Sequence, residues 1–221
     1  MKDDTMTRPA RRNGAAGNGE VGSGRWVGTS SESDPLAQRA LRIWGAGDYD
    51  RISAGFRDGA EAFVARRGLK PHHEVLDAAC GSGNLTIPAA RSGAMVTGID
   101  IVGALLTDAS QWATREGLAV TLDAGNVEEL PYDDARFDDR TWRLTTIPRT
   151  LTFRYHHTPA GTAELFRGSY GPTVRTFEAL DEDGRASFAA VLREHWSRHN
   201  RGDSTSTEVE SEYLEVVAVK L

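Results

Sequence analysis

The run from Val75 to Asn84, VLDAACGSGN, constrains this chain more than any other stretch. Apolar residues leading into Gly81 and Gly83 read as a buried strand that breaks into a glycine turn and restarts as a helix. Such a turn lets backbone amides approach a small ligand closely. Seventeen residues past Gly83, Val96-Thr97-Gly98-Ile99-Asp100 ends a second strand on a carboxylate. A carboxylate in that place commonly holds a ribose diol. The pair points to a nucleotide-like ligand.

The flanking pattern supplies the rest of the layout. Leu36, Ala40, Leu41 and Trp44 share one helical face, and Gly45 and Gly47 break the helix. A further helical stretch covers Tyr49 to Arg67, with Ile52, Phe56, Ala60 and Phe63 along one side. The first strand is expected over Glu74–Ala79, and a helix over Asn84–Ser92 follows it. The second strand covers Met95–Asp100, a helix covers Gly103–Glu116, and Leu118–Leu122 is the third strand. Gly93 and Gly117 fit the ends of the two helices. Strands and helices alternating at this spacing predict a parallel sheet with right-handed crossovers. The rhythm changes after an acidic loop, Glu128 to Asp139. A β-rich stretch from Thr141 to Tyr155 is interrupted by Pro148. Two helices follow, Thr162–Leu180 and Arg185–His199, and Glu212–Val219 is a last strand.

Residues 1–34 are rich in Gly, Ser, Asn, Arg and Asp and nearly free of aliphatics, so they read as a disordered tail. A net charge of -6 and a pI near 5.5 count against nucleic acid as a partner. No apolar run approaches a membrane span, and the N-terminus has no secretory h-region. Cys80 is the only cysteine, which precludes an internal disulfide and suits a reducing cytoplasm. His72-His73 and His156-His157 point apart as neighbours. His195 and His199 share a helix face but lack a third ligand, so no metal site is expected.

A dinucleotide fingerprint requires a third small residue three positions after Gly83, and Thr86 stands there. A ligand without a pyrophosphate fits better, and a nicotinamide oxidoreductase is disfavoured. At this point the chain resembles a class I S-adenosylmethionine-dependent methyltransferase of the bacterial small-molecule type. Trp44-Gly45-Ala46-Gly47-Asp48-Tyr49 looks like the segment that closes over the methionine end of the cofactor. Val75 to Gly83 looks like the family's first motif, and Gly98-Ile99-Asp100 like its second-strand acid. Asp123 to Pro131 looks like the loop beside the adenine, and Arg136-Phe137-Asp138 like the approach to the fourth strand.

The resemblance implies a cofactor set of Trp44, Tyr49, Asp77, Ala79, Gly81, Gly83, Asp100, Ile101, Asn126 and Val127. Asp77 would bond the amides of the glycine turn or take the cofactor's amino group. Gly81 and Gly83 would clear a path for the methionyl part, and Asp100 would accept from both ribose hydroxyls. Asn126 stands where the family often carries Asp; its carbonyl can still accept from the adenine amino group, without charge assistance. The Val127 amide would donate to a ring nitrogen. No catalytic residue is assigned.

The family's fourth and fifth strands are not legible after Asp138. Thr150 to Tyr155 looks like its sixth strand, Phe166 to Thr173 like a lid-helix motif, and Ser211 to Val217 like its seventh strand. The implied architecture is a shortened, Rossmann-like α/β domain over residues 35–221, with helices on both faces of a mostly parallel sheet. Residues 35–138 form its cofactor half, and residues 139–221 its C-terminal strands and lid helices. Its strand order is expected to be 3-2-1-7-6 with the last strand antiparallel, an internal deletion accounting for the gap. The open edge of the first strand would be covered by the final strand or by a second subunit, making a homodimer. The implied function is methyl transfer from S-adenosylmethionine to a small-molecule acceptor in the cytoplasm. The alternative is a family member that binds the cofactor without catalysis.

Overall fold

The computed structural model describes residues 25–26, 34–130 and 142–220. A short strand, β1 (Arg25–Trp26), precedes α1 (Pro35–Trp44), α2 (Tyr49–Ser53), a 3-10 turn (Ala54–Phe56) and α3 (Arg57–Arg67). Then β2 (Glu74–Ala78), α4 (Thr86–Arg91), β3 (Met95–Asp100), α5 (Gly103–Glu116) and β4 (Thr121–Ala124) alternate. The remainder is β5 (Trp142–Tyr155), α6 (Pro159–Ser169), α7 (Gly171–Ala179), α8 (Glu182–His199) and β6 (Thr207–Lys220).

Local chemistry sets several of these boundaries. The Asp34 carboxylate accepts from the amides of Leu36 and Ala37, and Pro35 pre-sets the first turn of α1. Gly117 ends α5 in the left-handed region at φ 67°. The Leu118 amide then bonds back to the Ala113 carbonyl at 2.9 Å. That helix end consumes residues expected to open the third strand, so β4 starts only at Thr121. The expected helix over Thr162–Leu180 is instead α6 and α7, because Tyr170 adopts an extended conformation between them.

The parallel sheet runs β1-β4-β3-β2. Its last three strands stand in the order 3-2-1 that the sequence predicts. Within the segment expected to be a disordered tail, Arg25–Trp26 pairs with Asp123–Ala124; the rest of it, up to residue 33, lies outside the described residues, as does most of the acidic loop, 131–141.

The continuation of that order into 7-6 is corrected by the structure. β5 and β6 form a separate two-stranded antiparallel sheet, from Trp142↔Lys220 to Tyr155↔Thr207. The last strand is antiparallel as expected, yet it does not pair with β2. Its Glu215 is only 3% exposed, and a carboxylate can be buried only with partners. Arg66 and Arg67 of α3 supply them at 2.9 and 2.6 Å, so the ribbon docks on α3. Pro148 does not interrupt β5, since each strand of a two-stranded sheet is an edge and tolerates a missing N–H.

Two of the core groups among the described residues show how the parts are held. Val64, Ala89, Ala90, Ala94 and Val96 pack beside the parallel sheet. Ile52, Tyr155, Ala163, Leu165 and Trp196 pack between the ribbon and the C-terminal helices. The Tyr155 hydroxyl donates to the Ile52 carbonyl at 2.8 Å and so ties the ribbon to α2.

Candidate ligand cavity at the strand ends

The glycine turn is built by backbone conformation. Gly81 and Gly83 sit at φ 54° and 93°, and Ala79 joins them at φ 59°. A Cβ on Gly81 would meet no atom within 4 Å, so that glycine is needed for its conformation. A Cβ on Gly83 would lie 3.2 Å from both Ala109 Cβ and Ile87 Cγ1. Gly83 therefore serves the packing of the turn against α5.

Asp100 organises this end of the sheet. One carboxylate oxygen accepts from the Gly81 amide at 2.9 Å and the other from the Val102 amide at 2.8 Å. The residue is 7% exposed. Burial pushes its pKa up, and the amides of Val102, Gly81 and Ile101 oppose that shift. Each carboxylate oxygen has a second lone pair, so two further donors can be accepted.

These groups open on a cavity of about 550 Å³. Eight residues of the cofactor set line it: Trp44, Tyr49, Ala79, Gly81, Asp100, Ile101, Asn126 and Val127. Asp77 and Gly83 do not. The Asp77 carboxylate accepts from the Thr86 hydroxyl at 2.6 Å, one layer behind the turn. That bond ties β2 to the start of α4. Asn126 accepts from the Glu128 amide at 3.1 Å, which shapes the loop after β4.

The sequence reading missed much of the apolar wall. Leu36, Ala37 and Ala40 of α1, Ile52 of α2, Phe56 of the 3-10 turn and Leu105 of α5 line the cavity. The signal was present: Leu36, Ala40 and Trp44 repeat every four residues, but that stripe faces a cavity as well as the core. Ser82 and Asn84 of the glycine turn and Glu128 of the loop after β4 also line it. Cys80 is buried, and burial pushes its thiol pKa well up, so it is held protonated.

Among the described lining residues the charged side chains are Asp100 and Glu128, with no Lys, Arg or His. Phosphates would meet no basic partner here, whereas a diol and positive charge would find acceptors. No group of three His, Cys, Asp or Glu among the described residues comes together as a metal site. No helix among them is long and apolar enough to cross a membrane.

The C-terminal helices reach back to this cavity. The Asp48 amide donates to the Ser169 carbonyl at 2.8 Å, and Arg175 Nε donates to the Arg42 carbonyl at 2.9 Å. Tyr170 packs behind Trp44 and Tyr49, with ring centroids 6.4 and 6.2 Å away.

Residues 75–147 match a family model described as a methyltransferase domain. That span is similar to a methyltransferase domain, in line with the resemblance carried by the residues from Val75 to Asp138. An uncharacterised protein of Mycobacterium tuberculosis is 36% identical over 139 residues, covering 62% of this chain and 50% of that protein. A demethylmenaquinone methyltransferase of Symbiobacterium thermophilum is 35% identical over 103 residues, covering 42% and 41%. The solved magnesium protoporphyrin IX methyltransferase of Synechocystis, with bound S-adenosylhomocysteine, is 30% identical, covering 45% and 50% at a TM-score of 0.33. The chain spans half or less of the length of the curated relatives it matches.

Proposed function

We propose that this chain binds S-adenosylmethionine in the cavity and transfers its methyl group to a small-molecule acceptor. The observation that carries the reading is Asp100. Its carboxylate is buried at the end of β3, holds the glycine turn through Gly81, and keeps one lone pair on each oxygen for a vicinal diol. The adjacent order β4-β3-β2 gives the ligand a direction. A base beside Asn126 and Val127, a ribose on Asp100 and an amino-acid end near Ala79 and Gly81 follow that order across the sheet. Ile101 lies beside the ribose. Trp44 and Tyr49 close the far end, from α1 and α2.

When bound, the cofactor supplies an electrophilic methyl group. The chain's part is to hold the acceptor in line and to exclude water. The apolar wall of Leu36, Ala40, Ile52 and Phe56 suits that task. A small-molecule acceptor in a reducing cytoplasm fits the cavity and the single buried cysteine.

A second reading keeps cofactor binding without turnover. It is favoured by the outer edge of β2, which takes no strand among the described residues. The internal deletion inferred from the sequence belongs with it. A second copy covering that edge is part of the same proposal, and sedimentation velocity tests it.

Calorimetric titration with S-adenosylmethionine and with NAD tests the main reading. Heat with the first alone is expected. Asp100→Asn keeps one acceptor oxygen, loses the charge, and is expected to weaken binding at least about tenfold. Unchanged affinity would overturn the ribose assignment. Heat without methyl transfer across a broad acceptor panel would select the second reading.

A further inference from the structure

The β5–β6 ribbon has two outer edges, and they are not alike. The Glu208 amide donates to Asn200 Oδ1 at 2.8 Å, and the Glu208 carbonyl accepts from the Arg201 amide at 2.7 Å. Both groups therefore point away from β5. Backbone direction alternates along a strand, so the amides and carbonyls of Glu210, Glu212, Leu214, Val216 and Ala218 face that same outer edge. All five residues are exposed, and among the described hydrogen bonds these backbone groups take no partner. The opposite edge is interrupted. Pro148 pairs with Leu214, so it stands where an N–H would face outward from β5. It denies that edge a donor near its middle.

We propose that β6 pairs antiparallel with β6 of a second copy of this chain, about a two-fold axis at Val216, so that a four-stranded sheet β5-β6-β6-β5 crosses a homodimer. This goes beyond the cofactor reading and leaves the edge of β2 untouched. A two-fold pairing is self-complementary, so each contact off the axis is made twice. The sequence sets the register. With the axis at Val216, this residue meets its own copy, Leu214 stands opposite Ala218, and Glu212 stands at the ladder position opposite Lys220. On the other face Glu215 stands opposite Val217. An axis at Glu215 would set two glutamates against each other, and an axis at Leu214 would set Glu212 against Val216. Apolar and opposite-charge pairs stabilise a ladder, and like charges directly opposite destabilise it. Leu214 and Val216, 58 and 56% exposed, gain apolar neighbours across the axis. An edge-to-edge strip of this kind is a small interface, so dissociation in the micromolar range is expected.

Sedimentation velocity of the full chain across micromolar concentrations tests this, together with hydrogen exchange at both ends of the range. A monomer–dimer equilibrium is expected, and a monomer throughout would overturn the proposal. Raising the concentration should slow exchange at Leu214, Val216 and Ala218, with no change at Leu144, Thr146 and Thr150 or across Glu74–Ala78. Protection of Glu74–Ala78 instead would place the second copy on β2 and overturn it. Val216→Pro removes an outward N–H without touching the ladder to β5, and should raise the dissociation constant at least about tenfold. Glu212→Lys, on an exposed position that the fold tolerates, should weaken the dimer by like charge, and Lys220→Glu in that background should restore it. A dimer that survives Val216→Pro, or one that Glu212→Lys leaves unchanged, would mean that faces stack and edges do not pair, and would overturn the proposal.

Discussion

The Thr86 hydroxyl donates to the Asp77 carboxylate at 2.6 Å, joining the start of α4 to the strand that precedes the glycine turn. Thr86 is fully buried. The residue that departs from the dinucleotide fingerprint is thus the one that fixes the acid behind the turn. Thr86→Val keeps the shape and removes the donor, leaving a carboxylate oxygen unpaired. The expected cost is about 1–3 kcal/mol. For a domain of this size that lowers Tm by roughly 2–12 °C, which a thermal melt reads. A melt unchanged within a degree would mean that water replaces the hydroxyl.

Ala79 is the one described residue other than glycine at positive φ, 59°. A left-handed alanine costs roughly 1–2 kcal/mol, and glycine removes that strain. The glycine also gains freedom in the unfolded chain, which offsets roughly 0.4–1 kcal/mol. Ala79→Gly should therefore stabilise the protein by about 0.5–1 kcal/mol in urea titration. A destabilised variant would show that the methyl group packs better than its exposed position at the cavity suggests.

Much of this site was legible because its residues answer to local rules. The turn from Val75 to Gly83 and the acid at Asp100 follow from strand chemistry and glycine conformation, and both stand at the cavity. The bond from Thr86 to Asp77 was not legible, because sequence spacing does not reveal depth and only the packing of α4 brings the two together. The ribbon was placed in the wrong sheet for a related reason. Alternating apolar residues specify a strand but not its neighbour, and the buried Glu215 draws β6 to α3. The C-terminal helices read as lid helices in the sequence, but the approach of Gly171 to Tyr49 joins residues over 120 positions apart. No local pattern carries such a contact.

Acid stability should depend on Arg91. Its guanidinium grips Glu116 with two hydrogen bonds of 2.6 and 2.7 Å and reaches Glu61 at 2.6 Å. The Arg91 bonds hold the Glu116 pKa down to about 2, from an ordinary 4.5. A carboxylate with a lowered folded pKa stabilises fully above its unfolded value, and that contribution fades as pH falls from 4.5 toward 2. Asp77 and Asp100 act in the opposite sense. Their raised values give the native state extra protons just above the ordinary 3.8, so acidification into that window favours folding through them. Glu116→Gln should lower the urea midpoint at pH 6 and shrink the difference between pH 6 and pH 3. An equal difference in both proteins would remove Glu116 from the acid response.

Glu215 should decide whether the ribbon stays on α3. Its carboxylate accepts from Arg66 at 2.9 Å, from Arg67 at 2.6 Å and from Arg149 at 3.3 Å. The hydrogen bond from Arg66, followed by the charges of Arg66, Arg67 and Arg149, holds its pKa below the usual carboxylate range. Three cations around one anion repel one another once the anion is gone, so removing Glu215 does more than delete a bond. The outward face of the ribbon carries Leu144, Leu214 and Val216 at 66, 58 and 56% exposure, so all of its docking is through the inner face. Glu215→Gln should speed proteolytic cleavage within β5 and β6 while the parallel sheet stays protected. Hydrogen exchange should show the same division, with faster exchange from Trp142 to Tyr155 and little change from Met95 to Asp100. Because Glu215, Arg66, Arg67 and Arg149 are not among the residues lining the cavity, affinity for S-adenosylmethionine should fall less than about threefold. Uniformly faster exchange through both sheets would show instead that the ribbon and the parallel sheet unfold as one cooperative unit.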